Sequence, residues 1–505
     1  FNPVVRTLWR ILANWQILAL LVLLVAVEVW VSCASAPSTR GRIRQRRAAA
    51  FPKLPRKLLY QIPEGKVFGR SGKRYVCEPV KEHDGGHVLV LGGSGSGKSS
   101  CFAIPTLLAC FSQGREEPEE TRTVVFAVDM KGELADKSTT LDDPKVKRLS
   151  FSDRTACGYD PLYGISRDST AQELFLWFQG VAESLIPISA DLKESFWKLS
   201  ARSVFTGCAM YLYRLGTQDF IGITDEITRR PIRSLIGEIL EDEASDGSIE
   251  QRCLAPFLEM ADETLYGIGG ELSQHLVIFN DASVRFQIRQ NPRKADPRDL
   301  ETGISIFLQV EEYDLDRMSD LMQMVLNQLI RELERRGEAA ERPVLLLIDE
   351  LARICARGKL GSLEGLLATG RSRKVSVCLI TQSLAALRGA YTEAQITSMA
   401  ENCRSKLILQ ASASQTQKEV IEWAGSYLEE QTTWGAGRER TTQTSYRETK
   451  RLRPEDLVTL PESGDCILIH NGYYRIRKTP YYKEKRFREA VERNQNRNKE
   501  LRRRK

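Results

Sequence analysis

Six short apolar runs punctuate residues 61–480, and stretches with helical periodicity separate them. Each run is continuous, as parallel strands covered on both faces should be. The predicted strands are Val88–Leu91, Val124–Val128, Ile304–Val310, Val344–Ile348, Val375–Ile380 and Lys406–Gln410. The predicted helices between them include Asp314–Arg336, Leu360–Ala368 and Gln395–Asn402. This alternation predicts an α/β fold built on a doubly wound parallel sheet.

Residues 168–290 differ from the rest because they lack clear strand patterns. Helical patterns run through them, for example at Ser195–Leu215, where apolar side chains recur on one face. We therefore predict an all-α insertion at 168–290 into a sheet domain formed by residues 61–167 and 291–480. Residues 430–450 are rich in Thr, Gln and Arg, and we predict a mobile loop there.

The N-terminal segment is the most apolar part of the chain. Gln16–Cys33 is an apolar run broken only by Glu28, close to the roughly 20 residues that span a bilayer. A signal peptide and a buried helix are the alternatives. Arginines cluster after the run, which places its C-terminal side in the cytoplasm. We predict a transmembrane anchor at 1–34 and a basic juxtamembrane linker at 35–60. The first residue is Phe1 and not Met, so we expect a fragment or a processed form. An N-terminus outside the membrane with no signal of its own indicates that an earlier membrane helix is missing from this sequence.

The net charge of +7 is unevenly distributed. Residues 1–60 carry +9 and residues 481–505 carry +7, so the residues between them carry −9. Nucleic-acid binding therefore cannot be argued from the overall charge of the body. The 11 cysteines include no C-x-x-C pair, which suits a reducing compartment and argues against a zinc ribbon. The four histidines are not at metal-ligand spacing.

A glycine-rich segment directly follows the first predicted strand and precedes a helix-compatible run. Strand, glycine-rich turn and helix start are the context that a phosphate-binding P-loop requires. Lys98 would reach the β- and γ-phosphates of ATP, and the hydroxyl of Ser99 would ligate Mg²⁺. The expected nucleotide contacts are Gly92, Gly93, Ser94, Gly95, Ser96, Gly97, Lys98, Ser99 and Ser100.

A second candidate element is the predicted strand Val344–Ile348, which ends in Asp349 and Glu350. Asp349 would hold the Mg²⁺ shell, and Glu350 would position or deprotonate the attacking water. An apolar strand that ends in Asp-Glu is a weak signal alone, but downstream of a well-placed P-loop it is informative. The adjacent glutamate favours an NTPase with repeated turnover over a slow timer switch.

Polar residues flank the predicted strand Val375–Ile380. Gln382 follows it and could sense the γ-phosphate, or it is an ordinary hydrogen-bonded residue at a strand end. Arg371 and Arg373 precede it. Either arginine could neutralise transition-state charge, in cis or across a subunit boundary. A solvated basic loop is the competing interpretation.

The motifs resemble, in kind and order, those of the type IV secretion coupling proteins, the membrane-anchored conjugative DNA-transfer ATPases of the TraG/TraD kind. The P-loop alone is generic, but the ordered set is specific and spans about residue 16 to 480. The matching segments are the N-terminal apolar run, Gly92–Ser99 with Ile104–Leu108, Asp129–Leu134, Tyr159–Leu162, Leu347–Glu350, Gly370–Arg373, Ile380–Ser383, and Arg453–Leu457 with Leu460-Pro461.

This resemblance implies a RecA-like nucleotide-binding domain in a homo-hexameric ring, with ATP and Mg²⁺ as cofactors. The insertion at 168–290 would lie at the cytoplasmic mouth of the ring and meet the substrate. The family's arginine finger lies eleven residues before the strand-tip glutamine, which selects Arg371 over Arg373. The expected protein is an inner-membrane ATPase, mostly cytoplasmic. It would recruit a relaxase–single-stranded DNA or protein substrate and pass it to a type IV secretion channel.

Two other functions remain open at this point. The chain could be a docking receptor that uses nucleotide only to assemble and gate the channel. It could also be a double-strand DNA translocase, although the helical insertion speaks against that. The tail at 481–505 is a charged helix or a disordered segment; it could touch DNA or a relaxase, or be a solvated helix face. The pairs Tyr473-Tyr474 and Tyr481-Tyr482 resemble stacking platforms for single strands, but such pairs more often pack on a sheet edge.

Overall fold

The structure is a computed structural model. It describes residues 52–80, 86–113, 121–188, 195–338, 342–356, 358–434 and 442–504, together with Ala340 and a few scattered positions before residue 28. In this part of the chain, no helix is both long and apolar enough to span a bilayer. The membrane helix predicted at Gln16–Cys33 lies largely outside the described residues, as does most of the linker at 35–60. Both stay predictions.

The described strands form one large mixed sheet and one separate hairpin. In chain order they are β1 (Leu59–Tyr60), β2 (Lys66–Ser71), β3 (Arg74–Glu78), β4 (Val88–Leu91), β5 (Val124–Asp129), β6 (Val146–Ser150), β7 (Ser305–Gln309), β8 (Val344–Ile348), β9 (Val375–Thr381), β10 (Ser405–Ile408), β11 (Ser426–Trp434), β12 (Thr442–Lys450), β13 (Asp465–His470) and β14 (Tyr473–Arg477).

The large sheet has the order β1-β3-β2-β14-β13-β10-β4-β9-β8-β5-β7-β6. From β10 to β6 every neighbouring pair is parallel, and from β10 to β1 every pair is antiparallel. The central strands are buried along their whole length, so both faces of the parallel part are covered. The fold is thus α/β with a mostly parallel sheet, as predicted.

Helices connect the parallel strands. They are α1 (Ile104–Gln113), α2 (Glu133–Ser138), α3 (Ala171–Leu185), α4 (Ser195–Arg214), α5 (Phe220–Arg229), α6 (Ile232–Glu241), α7 (Ile249–Leu254), α8 (Asp262–Leu276), α9 (Ala282–Arg285), α10 (Leu315–Arg335), α11 (Leu351–Ile354), α12 (Leu363–Thr369), α13 (Glu393–Asn402), α14 (Ser414–Ala424), α15 (Pro454–Ser463) and α16 (Lys485–Arg503). Short 3₁₀ or π turns lie at Arg56–Leu58, Lys98–Ala103, Glu243–Ser245, Ala255–Phe257, Val277–Asn280, Phe286–Gln290, Pro297–Leu300 and Ala385–Leu387.

The six strands predicted from apolar runs are all present, within two residues of their predicted bounds. The antiparallel strands β2, β3, β13 and β14 were not predicted. Their sequences mix charged and apolar residues, and Lys66 and Glu78 are buried charges that break the apolar pattern. The apolar runs therefore mark the strands that two layers of helices cover.

The prediction of a mobile loop at 430–450 is wrong for the residues that the structure describes there. β11 and β12 pair antiparallel from Ser426 opposite Lys450 to Trp434 opposite Thr442. The sequence of β12 contains Thr and Tyr, residues that favour strands, but no continuous apolar run. A composition rich in Thr, Gln and Arg concealed that pattern.

Between β6 and β7 the described chain contains helices α3 to α9 and no strand. Helix α3 begins at a capping box in which Thr170 Oγ1 accepts the N–H of Glu173 and the Glu173 carboxylate accepts the N–H of Thr170. Large aromatic side chains such as Phe178, Phe205 and Phe220 fill the core between these helices. Helix α3 of this region packs against α10, the helix that connects β7 to β8.

The basic C-terminal segment forms helix α16. Of the two alternatives for this segment, a charged helix or a disordered segment, the structure shows the helix. Phe487 and Val491 are buried one turn apart, and the helix packs against α2 and α1. Two of its arginines pair with acids near α2: Arg497 with Asp142 at 2.6 Å and Arg502 with Asp136 at 2.7 Å. Much of its charge is therefore satisfied within the protein.

Candidate nucleotide-binding site

The glycine-rich loop lies at the carboxyl end of β4. The N–H of Gly92 donates to Thr381 O of the adjacent strand β9 at 3.2 Å, which fixes the start of the loop. Gly95 and Gly97 have φ angles of 75° and 101°, left-handed values that glycine adopts without strain. A helix begins directly after the loop, at Lys98, with a π-helical turn. Backbone N–H groups at a helix N-terminus form a site for phosphate.

The first glycine of the loop is required by close packing. A Cβ on Gly92 would lie 2.3 Å from Ser96 Oγ, so a larger residue there would displace the loop. Ser96 is buried under the loop, whereas Ser94 is exposed with Gly95 at its tip. The other predicted nucleotide contacts are half-buried along the same turn: Gly93, Ser99 and Ser100.

Lys98 connects the loop to the end of β8. Its Nζ donates to Gly92 O at 2.9 Å and lies 3.4 Å from Glu350 Oε2. The two side chains are only 10% and 16% exposed. Glu350 has φ 58° and ψ 50°, a left-handed conformation that costs a non-glycine residue about 1 to 2 kcal/mol. The structure thus brings together the two charged residues predicted for hydrolysis, with a strained backbone at one of them.

Asp349 and Asp129 end neighbouring strands beside this pair. Burial and the nearby carboxylate of Glu350 raise the pKa of Asp349 to about 7, and Asp129 adds to the effect. The Asp129 carboxylate accepts the N–H groups of Leu134 and Ala135 at 3.1 and 2.9 Å, so it caps α2. Three carboxylates therefore meet at the carboxyl edge of the sheet, a charge distribution that a divalent cation stabilises.

Gln382 and Arg371 lie at opposite ends of β9. Leu91 pairs with Thr381 in the parallel ladder, so Gln382, one residue further, lies beside the P-loop with its side chain exposed. Arg371 precedes the strand at its other end and is also exposed. Seven strand residues span about 20 Å. The structure therefore brings Gln382 to the phosphate site of the same protomer and keeps Arg371 away from it.

Arg373 differs from Arg371 in its contacts. Its Nε donates to Arg336 O at 3.0 Å, and Arg336 Nη1 donates back to Arg373 O at 3.1 Å. Both side chains are largely buried. These bonds join the turn before β9 to the end of α10. Arg373 is thus part of the protein's internal hydrogen bonding, whereas Arg371 projects from the same turn.

A buried polar cluster, formed by Lys66, Glu78, His87 and Ser376, lies at the amino ends of β4 and β9. Lys66 is fully buried; its Nζ lies 2.9 Å from Glu78 Oε2 and donates to Ser376 Oγ at 3.0 Å. His87 Nδ1 accepts the N–H of Val377 at 3.0 Å. Burial, together with the charges of Lys66 and Arg371, lowers the pKa of His87 to about 3.

Comparison with known proteins places this arrangement in a family. The sequence model of the family described as type IV secretory system conjugative DNA transfer matches residues 53–504. The chain belongs to this family. The matched range contains the glycine-rich loop, the Asp349-Glu350 pair and Gln382.

Sequence relatives agree with the family. Protein VirD4 of Agrobacterium fabrum is 24% identical over 455 residues, which cover 86% of this chain and 64% of VirD4. Conjugal transfer protein TraG of the same organism is 22% identical over 373 residues, which cover 71% of this chain and 52% of TraG. The chain thus spans less than two thirds of the length of these curated relatives.

Solved structures show the same fold. The plasmid coupling protein TrwB in complex with ADP and Mg²⁺ superposes with a TM-score of 0.63 at 19% identity, covering 86% of this chain and 91% of TrwB. The TrwBdeltaN70 coupling protein in its unbound monoclinic form gives a TM-score of 0.62 at 18% identity, covering 78% and 84%. The chain therefore has a TrwB-like α/β fold with a mostly parallel sheet.

The predicted metal ligands fit Mg²⁺ by their chemistry. Ser99 offers a hydroxyl and Asp349 a carboxylate, and hard oxygen donors are what this ion prefers. No three His, Cys, Asp or Glu side chains of the described chain close around a metal-sized position. In nucleotide sites Mg²⁺ takes most of its ligands from water and phosphate oxygens, so two protein ligands suffice.

Two residues at this site had no predicted role. Asp129 lies in a segment that matched the family, but only the fold shows that its carboxylate faces Asp349 and caps α2. Lys478 follows β14, and its Nζ donates to Ser96 O in the P-loop at 3.1 Å. It is a single lysine in a connecting segment, and no motif in the sequence marks it.

Proposed function

We propose that this chain is an ATPase coupling protein of conjugation. It binds ATP and Mg²⁺, recruits a relaxase–single-stranded DNA or protein substrate, and uses hydrolysis to pass that substrate to a type IV secretion channel. The observation that carries the proposal is the meeting of Lys98, Asp349 and Glu350 at the carboxyl edge of a RecA-type sheet. Membership of the conjugative DNA transfer family supports the substrate class.

The roles of the side chains follow from their positions. Loop N–H groups and Lys98 bind the β- and γ-phosphates. Ser99 and Asp349 would hold Mg²⁺, which would neutralise the charge that develops on the phosphates. Glu350 orients the attacking water and accepts its proton, and Lys98 lies beside its carboxylate at 3.4 Å. Gln382, at the tip of β9, contacts the region of the γ-phosphate and relays its loss.

Arg371 completes the site from a neighbouring protomer in a homo-hexameric ring. Its place at the far end of β9 supports a role in trans, because the same protomer's phosphates lie about 20 Å away. A guanidinium at the transition state is worth about 10³ to 10⁵ in rate. We further propose that the ring is anchored in the inner membrane by the segment at 1–34, with most of the chain in the cytoplasm.

Glu350→Gln tests the catalytic assignment. The substitution keeps the shape of the side chain and removes the base, so we expect ATP binding to persist and turnover to fall by about 10²- to 10⁴-fold. Binding is measured by titration with a fluorescent ATP analogue, and turnover by phosphate release. Glu312→Gln is the matched control, since Glu312 is an exposed acid on the same edge, paired with Lys131 and Arg353.

The same assay separates a motor from a receptor that is only gated by nucleotide. A motor hydrolyses ATP faster when single-stranded DNA is added, and Glu350→Gln removes that stimulation. A receptor binds ATP but shows neither turnover nor stimulation. If Glu350→Gln hydrolyses ATP at the wild-type rate, the assignment of Glu350 is wrong.

A further inference from the structure

The segment that follows β14 lies along the P-loop. We call residues 478–481 the C-terminal strap. Lys478 Nζ donates to Ser96 O at 3.1 Å and to Leu409 O at 3.1 Å. The N–H of Tyr481 donates to Ser100 O at 2.9 Å. The strap therefore holds both sides of the turn that contains Gly97, Lys98 and Ser99.

The C-terminal strap is fixed at both of its ends. Upstream, β14 pairs with β13 in the large sheet. Downstream, α16 buries Phe487 and Val491. Near its far end, Asn498 Oδ1 accepts the N–H of Leu141 at 2.7 Å, and its Nδ2 donates to Thr139 O at 3.0 Å. A segment held in this way imposes its position on the loop it contacts.

The charge of Lys478 is unusual for its surroundings. The side chain is half-buried, and burial lowers its pKa. In the described contacts its ammonium group donates to two neutral carbonyl oxygens, whereas the other lysine of the site, Lys98, lies 3.4 Å from Glu350. Removing a charge from water without an adjacent opposite charge is costly, and the carboxylate of Asp465 offsets only part of the effect of burial on the pKa of Lys478. A bound anion nearby offsets that cost.

The contact with Ser96 also orients a donor. The C=O of Ser96 and the N–H of Gly97 belong to one planar trans peptide, so they point in opposite directions. Lys478 holds that oxygen behind the loop. The N–H of Gly97 is then directed to the opposite side, where a P-loop binds phosphate.

We propose that Lys478 is a positioning residue of the nucleotide site. It fixes the Ser96–Gly97 peptide in the orientation that binds the phosphates of a nucleoside di- or triphosphate, and it places a second cation behind them. The proposal rests on the proposed function, in that it requires the P-loop to bind nucleotide. The part of the C-terminal region that contacts the nucleotide site is then the C-terminal strap, and not the surface of α16.

Lys478→Met tests this role, because it keeps the length of the stem and removes both the donors and the charge. In the full chain we expect the Kd for a non-hydrolysable ATP analogue with Mg²⁺ to rise about tenfold or more, as for a lost charge-assisted hydrogen bond. Lys478→Arg keeps charge and donors and should restore binding to within about threefold. Lys485→Met is the control, since Lys485 is 81% exposed on α16.

The set of variants distinguishes positioning from simple stabilisation. Lys478→Gln keeps a donor without charge, so its Kd should lie between those of wild type and Lys478→Met; it carries the test if Lys478→Met does not fold. Rescue by Arg with an unchanged Tm in the absence of nucleotide supports positioning. Wild-type binding by both Met and Gln variants would overturn the role of Lys478 alone. A wild-type chain that binds no analogue would overturn the proposed function and this proposal with it.

Discussion

The two ends of the same pair of strands carry different chemistry. At the carboxyl ends of β4 and β9 lie the P-loop, Gln382 and, one strand further, Glu350. At their amino ends lie the buried cluster of Lys66, Glu78 and His87 and, outside it, the exposed Arg371. The carboxyl ends of this pair of strands carry the candidate nucleotide-binding groups, whereas at the amino ends Lys66 and Glu78 are paired in the interior and Arg371 is exposed.

This contrast shows how the candidate catalytic residues are distributed between the two edges of the parallel sheet. Parallel strands place every residue that follows a strand at one edge and every residue that precedes it at the other. Lys98 and Arg371 therefore cannot serve the same phosphate within one protomer. A site that uses both must join the carboxyl edge of one copy to the amino edge of another, so under the proposed function hydrolysis would require an assembly of several copies.

The largest expected effect is that of Arg371→Ala, which should lower ATP turnover by about 10³-fold or more and leave the Tm unchanged. Lys98→Ala should also be inactive. Mixing the two variants should restore activity, because about a quarter of the interfaces in randomly mixed rings then pair an intact lysine with an intact arginine. Phosphate release across a mixing series measures this. Arg373→Ala, the control in the same turn, should lower the Tm because its bonds to Arg336 are lost.

No recovery on mixing, together with a specific activity that does not depend on protein concentration, would show that Arg371 does not act in trans. The division between the two edges would then be one of structure only.

A second prediction concerns the stability of the amino edge. Lys66→Met leaves the Glu78 carboxylate buried without its partner, so we expect a loss of about 3 to 5 kcal/mol in the free energy of unfolding. Replacing both residues, as Lys66→Met with Glu78→Gln, should recover most of it. Urea unfolding of each variant gives these differences. A loss below about 1 kcal/mol in the single variant would mean that water reaches Glu78, and that the cluster is not a dry interior site.

The smallest effect is a pH dependence at His87, whose pKa is lowered from 6.5 to about 3 by burial and by Lys66 and Arg371. The unfolded chain binds the proton first as pH falls below 6.5, so stability rises with pH between 3 and 6.5 and is then level. From pH 6.5 to 5 the loss is about 2 kcal/mol. His87→Asn keeps an acceptor for Val377 and should flatten the slope in urea titrations at each pH.

The predictability of the fold followed burial. Strands such as β5 and β8 are covered on both faces, so every residue is apolar and the run is visible in the sequence. β2 and β3 are also largely buried, yet they contain Lys66 and Glu78. Lys66 and Glu78 form their ion pair only after folding. No local sequence pattern indicates that a charged residue will have a partner on another strand. The sequences of β11 and β12 contain no continuous apolar run, so only the pairing of the two strands reveals the hairpin.

The candidate site divides in the same way. Residues of the P-loop and the Asp349-Glu350 pair were predictable because phosphate binding demands a local sequence of glycines, lysine and serine after a strand. Asp129 and Lys478 act across strands and chain segments, and Lys478 reaches Ser96 from 382 residues away in the sequence. Nothing in the local sequence distinguishes these two residues from any other aspartate or lysine. Only the topology of the fold brings them to the site.

The left-handed backbone at Glu350 has a consequence for selection. Glycine at this position would relieve about 1 to 2 kcal/mol of backbone strain. Selection for folding alone would therefore favour glycine over glutamate. Under the proposed function, the carboxylate near Lys98 is retained against that gradient only while ATP hydrolysis is under selection. We expect a library screened for expression alone to accumulate glycine at position 350, and one screened for ATP turnover to keep the acid. The residue at position 350 would then record whether a lineage still selects for the proposed activity.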